Sequence, residues 1–126
     1  MPKTLTHNVW MYRDPTLATS LSKQEIVGLD VESIDGSIGK IDDASFETDT
    51  GHIVVDTGPW IFGKKVMLPV CVLRNVDHES ETVFVNRTKD EIKNSPEFED
   101  TLTTDESYRT KLGSYYGPEG KGYRDW

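Results

Sequence analysis

Between residues 30 and 94 the chain is a succession of short β-branched runs, each closed by a turn signal, and no other feature constrains its fold as much. Ile34-Asp35-Gly36-Ser37 reads as a tight hairpin turn, because Gly, and Asp beside it, tolerate positive φ. A strand over residues 38–48 follows, and Gly39 inside it marks a bulge or a sharp bend. Thr50-Gly51 turns the chain again, and residues 52–57, β-branched and apolar, predict a central strand. Residues 58–63 (Gly-Pro-Trp-Ile-Phe-Gly) form a loop. Residues 65–72 return as a strand with Val66, Leu68 and Val70 on one face. Pro69 has no amide donor, which puts that strand at an edge or bends it. A short strand over 76–78, an acidic turn over 77–81 and a last strand over 82–85 complete the series. Upstream, Val27, Leu29 and Val31 alternate with Ile26, Gly28 and Asp30, so a further strand is expected over 26–31.

The helical signals come after the strands. Thr88-Lys89-Asp90-Glu91 is a capping box, in which the Thr88 hydroxyl and the Glu91 carboxylate satisfy each other's free amides. The short helix it opens stops before Pro96. Thr104 can cap a second helix running to about Tyr115, with Gly117 as its stop and Tyr108, Leu112 and Tyr116 on one face at i, i+4 spacing. The fold class expected is mainly β: a small, strongly bent antiparallel sheet closing into a barrel, which removes long open edges. One short helix follows the last strand, and a second lies towards the C-terminus. Three segments follow from this reading. Residues 1–24 are an N-terminal arm and 25–98 the barrel domain. Residues 99–126 are an acidic linker, a short helix and a disordered Gly-rich tail.

Composition narrows the function classes. With 126 residues and 35% apolar content the chain is one lean domain. A net charge of −8 repels polyanions, and the basic groupings are small: Lys64-Lys65, and Lys121 with Arg124. No nucleic-acid partner is expected. Residues 1–8 hold one Lys and no apolar block, unlike a secretory signal, and no apolar run reaches the ~18 residues of a membrane span. A cytoplasmic location and no membrane insertion are the expectations. The lone Cys71 follows Pro69-Val70 in an apolar run and reads as a buried, inert thiol.

No chemistry-bearing constellation emerges. Residues 58–64 mimic the start of a phosphate-binding loop. However, Lys65 stands where a magnesium-binding Ser or Thr is required, and a strand follows instead of a helix. His7, His52 and His78 form no ligand pair of metal-site spacing. His78 among Asp77, Glu79 and Glu81 reads as a solvated acidic turn, and His52 as a surface strand residue. No Ser lies in a Gly-x-Ser-x-Gly elbow, and Asp42-Asp43 is ordinary solvated charge. No catalytic, cofactor-binding or metal-ligating residue is assigned, no cofactor is expected, and the chain is expected not to be an enzyme.

Three pieces of the chain resemble the PRC-barrel family, named for the cytoplasmic domain of the photosynthetic reaction-centre H subunit and shared by the C-terminal domain of a ribosome maturation factor. Asp35-Gly36-Ser37-Ile38-Gly39-Lys40-Ile41 is similar to the family's Gly-x-x-(Ile/Leu)-Gly-Lys-Val hairpin. His52-Ile-Val-Val-Asp56 is similar to the strand after its Thr-Gly turn. Val66-Met67-Leu68-Pro69 is similar to its Val-x-(Ile/Val/Leu)-Pro strand. The likeness covers residues 21–98. It extends to stand-alone bacterial members carrying Asp-Thr-Gly-Pro-Trp-Ile-Phe-Gly-Lys (here 56–64) and ending in Tyr-Tyr-Gly (115–117). The resemblance implies a PRC-type β-barrel that contacts other proteins in assembly or regulation, with no common catalytic set.

The expected function is therefore a non-catalytic protein–protein interaction, regulatory or assembly module, with a protein partner or a second copy of itself in a homodimer. The candidate contact residues are Trp60, Ile61 and Phe62, with Trp10, Tyr115 and Tyr116. Three successive large apolar residues in a loop cannot all enter a small core. Either Trp60 and Phe62 plug the barrel end, or the loop anchors a partner. Trp10, with Met11 and Tyr12, packs on the chain's own barrel or on a partner. Two alternatives remain: a small-ligand or metal-sensing barrel using the 77–81 turn, and a ribosome-associated assembly factor.

Overall fold

The computed structural model describes residues 23–45, 51–58, 65–99, 105–117 and 120–122. Helix α1 (Lys23–Ile26) precedes strands β1 (Asp30–Ser33), β2 (Gly36–Ser45), β3 (His52–Asp56) and β4 (Lys65–Pro69). A 3-10 turn (Val70–Val72) leads to β5 (Leu73–Asp77) and β6 (Thr82–Val85), followed by α2 (Lys89–Lys93) and α3 (Glu106–Tyr116). Trp10, Trp60, Ile61 and Phe62 lie outside the described residues.

The β1–β2 hairpin turns through Ile34 and Asp35, with Ser33 opposite Gly36. The Asp35 carboxylate accepts from the Lys89 amide at 2.8 Å and lies 2.9 Å from the Ser33 hydroxyl, so one turn residue also holds the first amide of α2. These donors, Lys89 first, keep the Asp35 carboxyl below the usual carboxylate range. Its contribution to stability is present at neutral pH and is lost as pH falls through that lowered value.

The ladder slips between Val31–Gly39 and Glu32–Ser37, which leaves Ile38 as the extra residue of a bulge at the expected glycine. A second irregularity falls between Ile41 and Asp43. Both sharpen the twist of β2 and let it wrap around Ile38, Ile41 and Ala44, all buried.

The strands form one six-stranded sheet in the order β4-β3-β2-β1-β6-β5. This corrects the expected closed antiparallel barrel in two respects. The β1–β6 pair is parallel, and no ladder joins the edges β4 and β5 among the described residues. The edges are instead tied by the three residues of the 3-10 turn, a span of about 6 Å at ~2 Å per residue. That short tie forces the open sheet to curl. Backbone groups at the seam find partners elsewhere: the Val70 amide bonds the Gly51 carbonyl at 3.1 Å, and the Asn86 amide bonds Val72 at 2.8 Å. Pro69, with no amide to give, lies on an edge strand as expected, but it ends that strand, and residues 70–72, expected to continue it, form the 3-10 turn.

A further correction concerns residues 26–31. The period-two pattern there is not a strand: Ile26 ends α1, Gly28 takes φ +94°, and β1 begins only at Asp30. Ile26 and Val31 are both fully buried while Val27 is exposed, the reverse of a simple alternation. The Leu29 amide closes a turn on the Ile26 carbonyl at 3.0 Å, which rotates the chain between the two buried residues.

The core runs through β1–β4, the 3-10 turn, β5 and β6 and continues into Ile92, Phe98, Tyr108, Leu112 and Tyr116. Every residue of β3 except Asp56 is buried, and so is every residue of β4 except Lys65. Both faces of this half of the sheet are therefore covered. The capping box forms as expected, with the Glu91 amide 3.1 Å from the Thr88 hydroxyl and the Thr88 amide 2.8 Å from the Glu91 carboxylate. Asp105 caps α3 by accepting from the Tyr108 amide at 2.9 Å. The expected cap, Thr104, lies outside the described residues.

Candidate functional site

Two buried polar side chains, Arg87 and His52, contact α3 or the segment that follows it. Arg87 leaves β6, stands one residue before the cap of α2, and is only 1% exposed. A buried guanidinium needs acceptors. Its Nε donates to the Gly122 carbonyl and its Nη1 to the Asn86 carbonyl, each at 2.6 Å. Its centre lies 5.7 Å from the centroid of the Tyr116 ring, within cation–π range. The Gly122 amide bonds the Tyr115 carbonyl at 2.9 Å, and a Cβ at Gly122 would strike the Tyr115 ring. Residues 120–122 are therefore a built contact and not the expected loose tail. The physical reason is Arg87, whose demand for a carbonyl fixes a segment with little apolar content of its own.

Tyr115 and Tyr116 are two of the residues expected to contact a partner. Tyr115 is half-buried, donates its hydroxyl to the Glu91 carbonyl, and meets the Tyr116 ring edge-on at 4.9 Å. Tyr116 is 1% exposed and belongs to the core. Its ring covers Arg87 and presents nothing to a partner.

Burial pushes the Tyr116 phenol well above the ordinary tyrosine range. Ser95 pulls the other way, but the Ser95 hydroxyl is committed to the Ile92 carbonyl at 2.7 Å, and the Tyr116 hydroxyl makes no hydrogen bond among the described residues. A phenol whose folded pKa is raised supports the fold below its unfolded pKa and withdraws that support as pH rises past it. Loss of stability above about pH 10 is therefore expected, at about 1.4 kcal/mol per pH unit for this fully buried group. Tyr116→Phe removes an unsatisfied hydroxyl and should leave stability unchanged or raise it by about 1 kcal/mol at pH 7, while flattening the alkaline loss. Urea unfolding at about pH 8 and about pH 10.5 measures both effects. A variant less stable than wild type at both values would show that the hydroxyl has a partner.

His52 corrects another expectation. It is 4% exposed rather than a surface residue, because β3 is covered on both faces. Its Nδ1 lies 3.4 Å from Arg109 Nη1 on α3. Burial lowers the Arg109 pKa from its ordinary value. Cys71 is buried in the 3-10 turn, as its apolar neighbours imply. Asp77 accepts from the Glu79 amide at 3.0 Å and the Ser80 amide at 3.3 Å, and these bonds, Ser80 first, hold its carboxyl low. The 77–81 turn thus uses Asp77 to hold its own backbone. Asp42 pairs with Lys65 at 3.0 Å across the sheet. Among the described residues no group of His, Cys, Asp and Glu is placed to hold a metal, and no helix is long and apolar enough to cross a membrane.

No protein-family model matches the chain, and no curated protein matches it. Among solved structures it is similar to one described as a putative 16S ribosomal RNA processing protein, RimM, from Pseudomonas aeruginosa. The two are 19% identical, the match covers 56% of this chain and 46% of that one, and the TM-score is 0.48. The chain thus spans less than half the length of the protein it matches.

Arg87, the buried cation that organises this region, carries no local signal. Arg87 follows a strand and precedes a helix cap, where an exposed residue is the default, and its acceptor is 35 positions away. His52 opens the β-branched, apolar run expected as a central strand, and such a run, buried on both faces, is the signal that its imidazole is covered.

Proposed function

We propose that the chain is a non-catalytic interaction module of the PRC-barrel type, used in assembly or regulation through a protein partner or a second copy of itself. One observation carries this reading. The three sequence pieces that resemble the family fall on β2, β3 and β4, consecutive antiparallel strands of one curled sheet, with Gly39 at the bulge and Pro69 at the end of the edge strand. The burial of His52, Arg87, Cys71 and Tyr116 also supports it, since these groups are used in packing or in holding segments together. The contact residues proposed are Trp60, Ile61 and Phe62, with Trp10 nearby in role and the exposed part of Tyr115. The setting proposed is the cytoplasm, without nucleic acid, membrane insertion or cofactor. Ribosome-associated assembly is a narrower form of the same reading.

The test is affinity capture from native extract with the wild-type chain and with a Trp60→Ala, Phe62→Ala variant shown by circular dichroism to be folded. One protein captured in stoichiometric amount by wild type alone supports the reading and places the contact on the loop. Equal capture by both removes the loop from the interface. No capture by either, together with a monomeric mass by light scattering, overturns the module reading. Co-sedimentation with small ribosomal subunits would select the narrower form.

A further inference from the structure

We propose that His52 and Arg109 form an acid-sensitive latch that holds α3 against β3. This stands apart from the module reading and rests on the chemistry of one contact. His52 Nδ1 and Arg109 Nη1 are 3.4 Å apart, and the imidazole is 4% exposed. A guanidinium only donates, so the contact requires a bare Nδ1 and places the imidazole proton on Nε2. An imidazole ordinarily gains its second proton near about pH 6.5. Here that proton must enter at Nδ1, where it removes the acceptor and sets an imidazolium against a guanidinium in a buried site.

The surroundings oppose and favour that proton in identifiable ways. On β2, Ser45 lies directly across from His52 and carries no charge. Asp43, paired with Val54, lies diagonally on the same face; its Oδ1 accepts from the Ala44 amide at 2.9 Å, and its charge favours an imidazolium. On β4, Pro69 lies opposite and Met67 diagonally, neither titratable. Cys71, in the turn that continues β4, is a buried thiol. At the start of α3, Glu106 and the cap residue Asp105 lie about one turn before Arg109, and Asp105 is engaged in capping. Arg109 is in direct contact with the ring, and the conflict is relieved when α3 moves away from β3. The buried side chains of Tyr108, Leu112 and Tyr116 continue to hold the helix, so acid raises the frequency of opening without detaching α3 outright.

Hydrogen exchange of the whole chain between pH 7 and pH 5, corrected for the intrinsic pH dependence of exchange, reads that opening. Protection of the α3 amides should fall about tenfold relative to β1 and β2 as His52 takes its proton, and His52→Gln should abolish the fall. Arg109→Gln, which removes the opposing charge from the other side, should also abolish it and serves if the first variant does not fold. Unchanged α3 protection down to pH 5 in the wild type overturns the proposal, as does the same fall in wild type and variant. Imidazole nitrogen chemical shifts showing a protonated Nδ1 at pH 7 would overturn it independently.

Discussion

Replacing Arg87 with leucine should lower the unfolding free energy by about 3 kcal/mol and release the C-terminal segment from the sheet. The side chain is 1% exposed and donates to the Gly122 and Asn86 carbonyls at 2.6 Å. A hydrogen bond from a charged donor contributes about 1.5–3 kcal/mol, and the two share one group, so their losses do not simply add. Leucine restores some apolar volume but leaves both carbonyls without this donor and the Tyr116 ring without its cation. For a domain of this length the loss corresponds to a fall in Tm on the order of 10 °C. Arg87→Lys is the informative companion. It keeps the charge, but a lysine ammonium cannot reproduce a planar fork that bonds one carbonyl through Nε and another through Nη1, so most of the loss should remain. Urea unfolding gives the energies, and limited proteolysis beyond residue 117 reports the freed segment. An Arg87→Leu loss below about 0.5 kcal/mol, the range of an ordinary surface change, would mean that the guanidinium does not hold the segment.

That contact also marks where sequence reading succeeds and where it stops. Signals complete within a few residues were legible. The Thr88–Glu91 capping box forms both its bonds, Gly39 sits at a bulge, Pro69 lies on an edge strand, and Tyr108, Leu112 and Tyr116 are all buried along one helix. Each depends on backbone geometry or on helical spacing, and a neighbouring residue decides it. Three features turned on partners distant in the chain. The 26–31 segment has the periodicity of a strand, but its turn is fixed by the Gly28 amide reaching the Ile41 carbonyl at 2.8 Å. His52 is buried, and Arg109 of α3, 57 positions later, lies against its ring. The Gly-rich 120–122 segment has the composition of a loose tail, yet Arg87 supplies the donor it lacks. Of the proposed contact residues, Tyr116 is spent on the core, as its i, i+4 spacing with Leu112 and Tyr108 already implied. Tyr115, about 100° away in direction on the same helix, is only half-buried.

Gly39→Ala is expected to be the most damaging single substitution, with a loss of more than about 3 kcal/mol or failure to fold. Two independent causes coincide there. Gly39 takes φ +145°, a conformation nearly closed to residues with a side chain. The place where its Cβ would stand is already occupied by the backbone carbonyl of Asp56, with the next Cα close behind. Backbone cannot swing aside as a flexible side chain does. Accommodating the methyl group therefore means parting β2 from β3 at the point where Lys40 pairs with Asp56. Gly28 separates the causes. It takes φ +94°, but a Cβ there meets nothing within 4 Å, so Gly28→Ala carries the conformational cost alone, about 1–2 kcal/mol. Urea unfolding of both variants gives the difference, which measures the close approach of β3 to the bulge. Equal losses at the two positions would mean that β3 does not pass over Gly39, and the tight curl of the sheet would then need another cause. If Gly39→Ala yields no folded protein while Gly28→Ala folds with a modest loss, the same conclusion holds in its stronger form. The bulge glycine is then a steric requirement of the curl, and the curl is what brings the edge strands β4 and β5 within reach of a three-residue 3-10 turn.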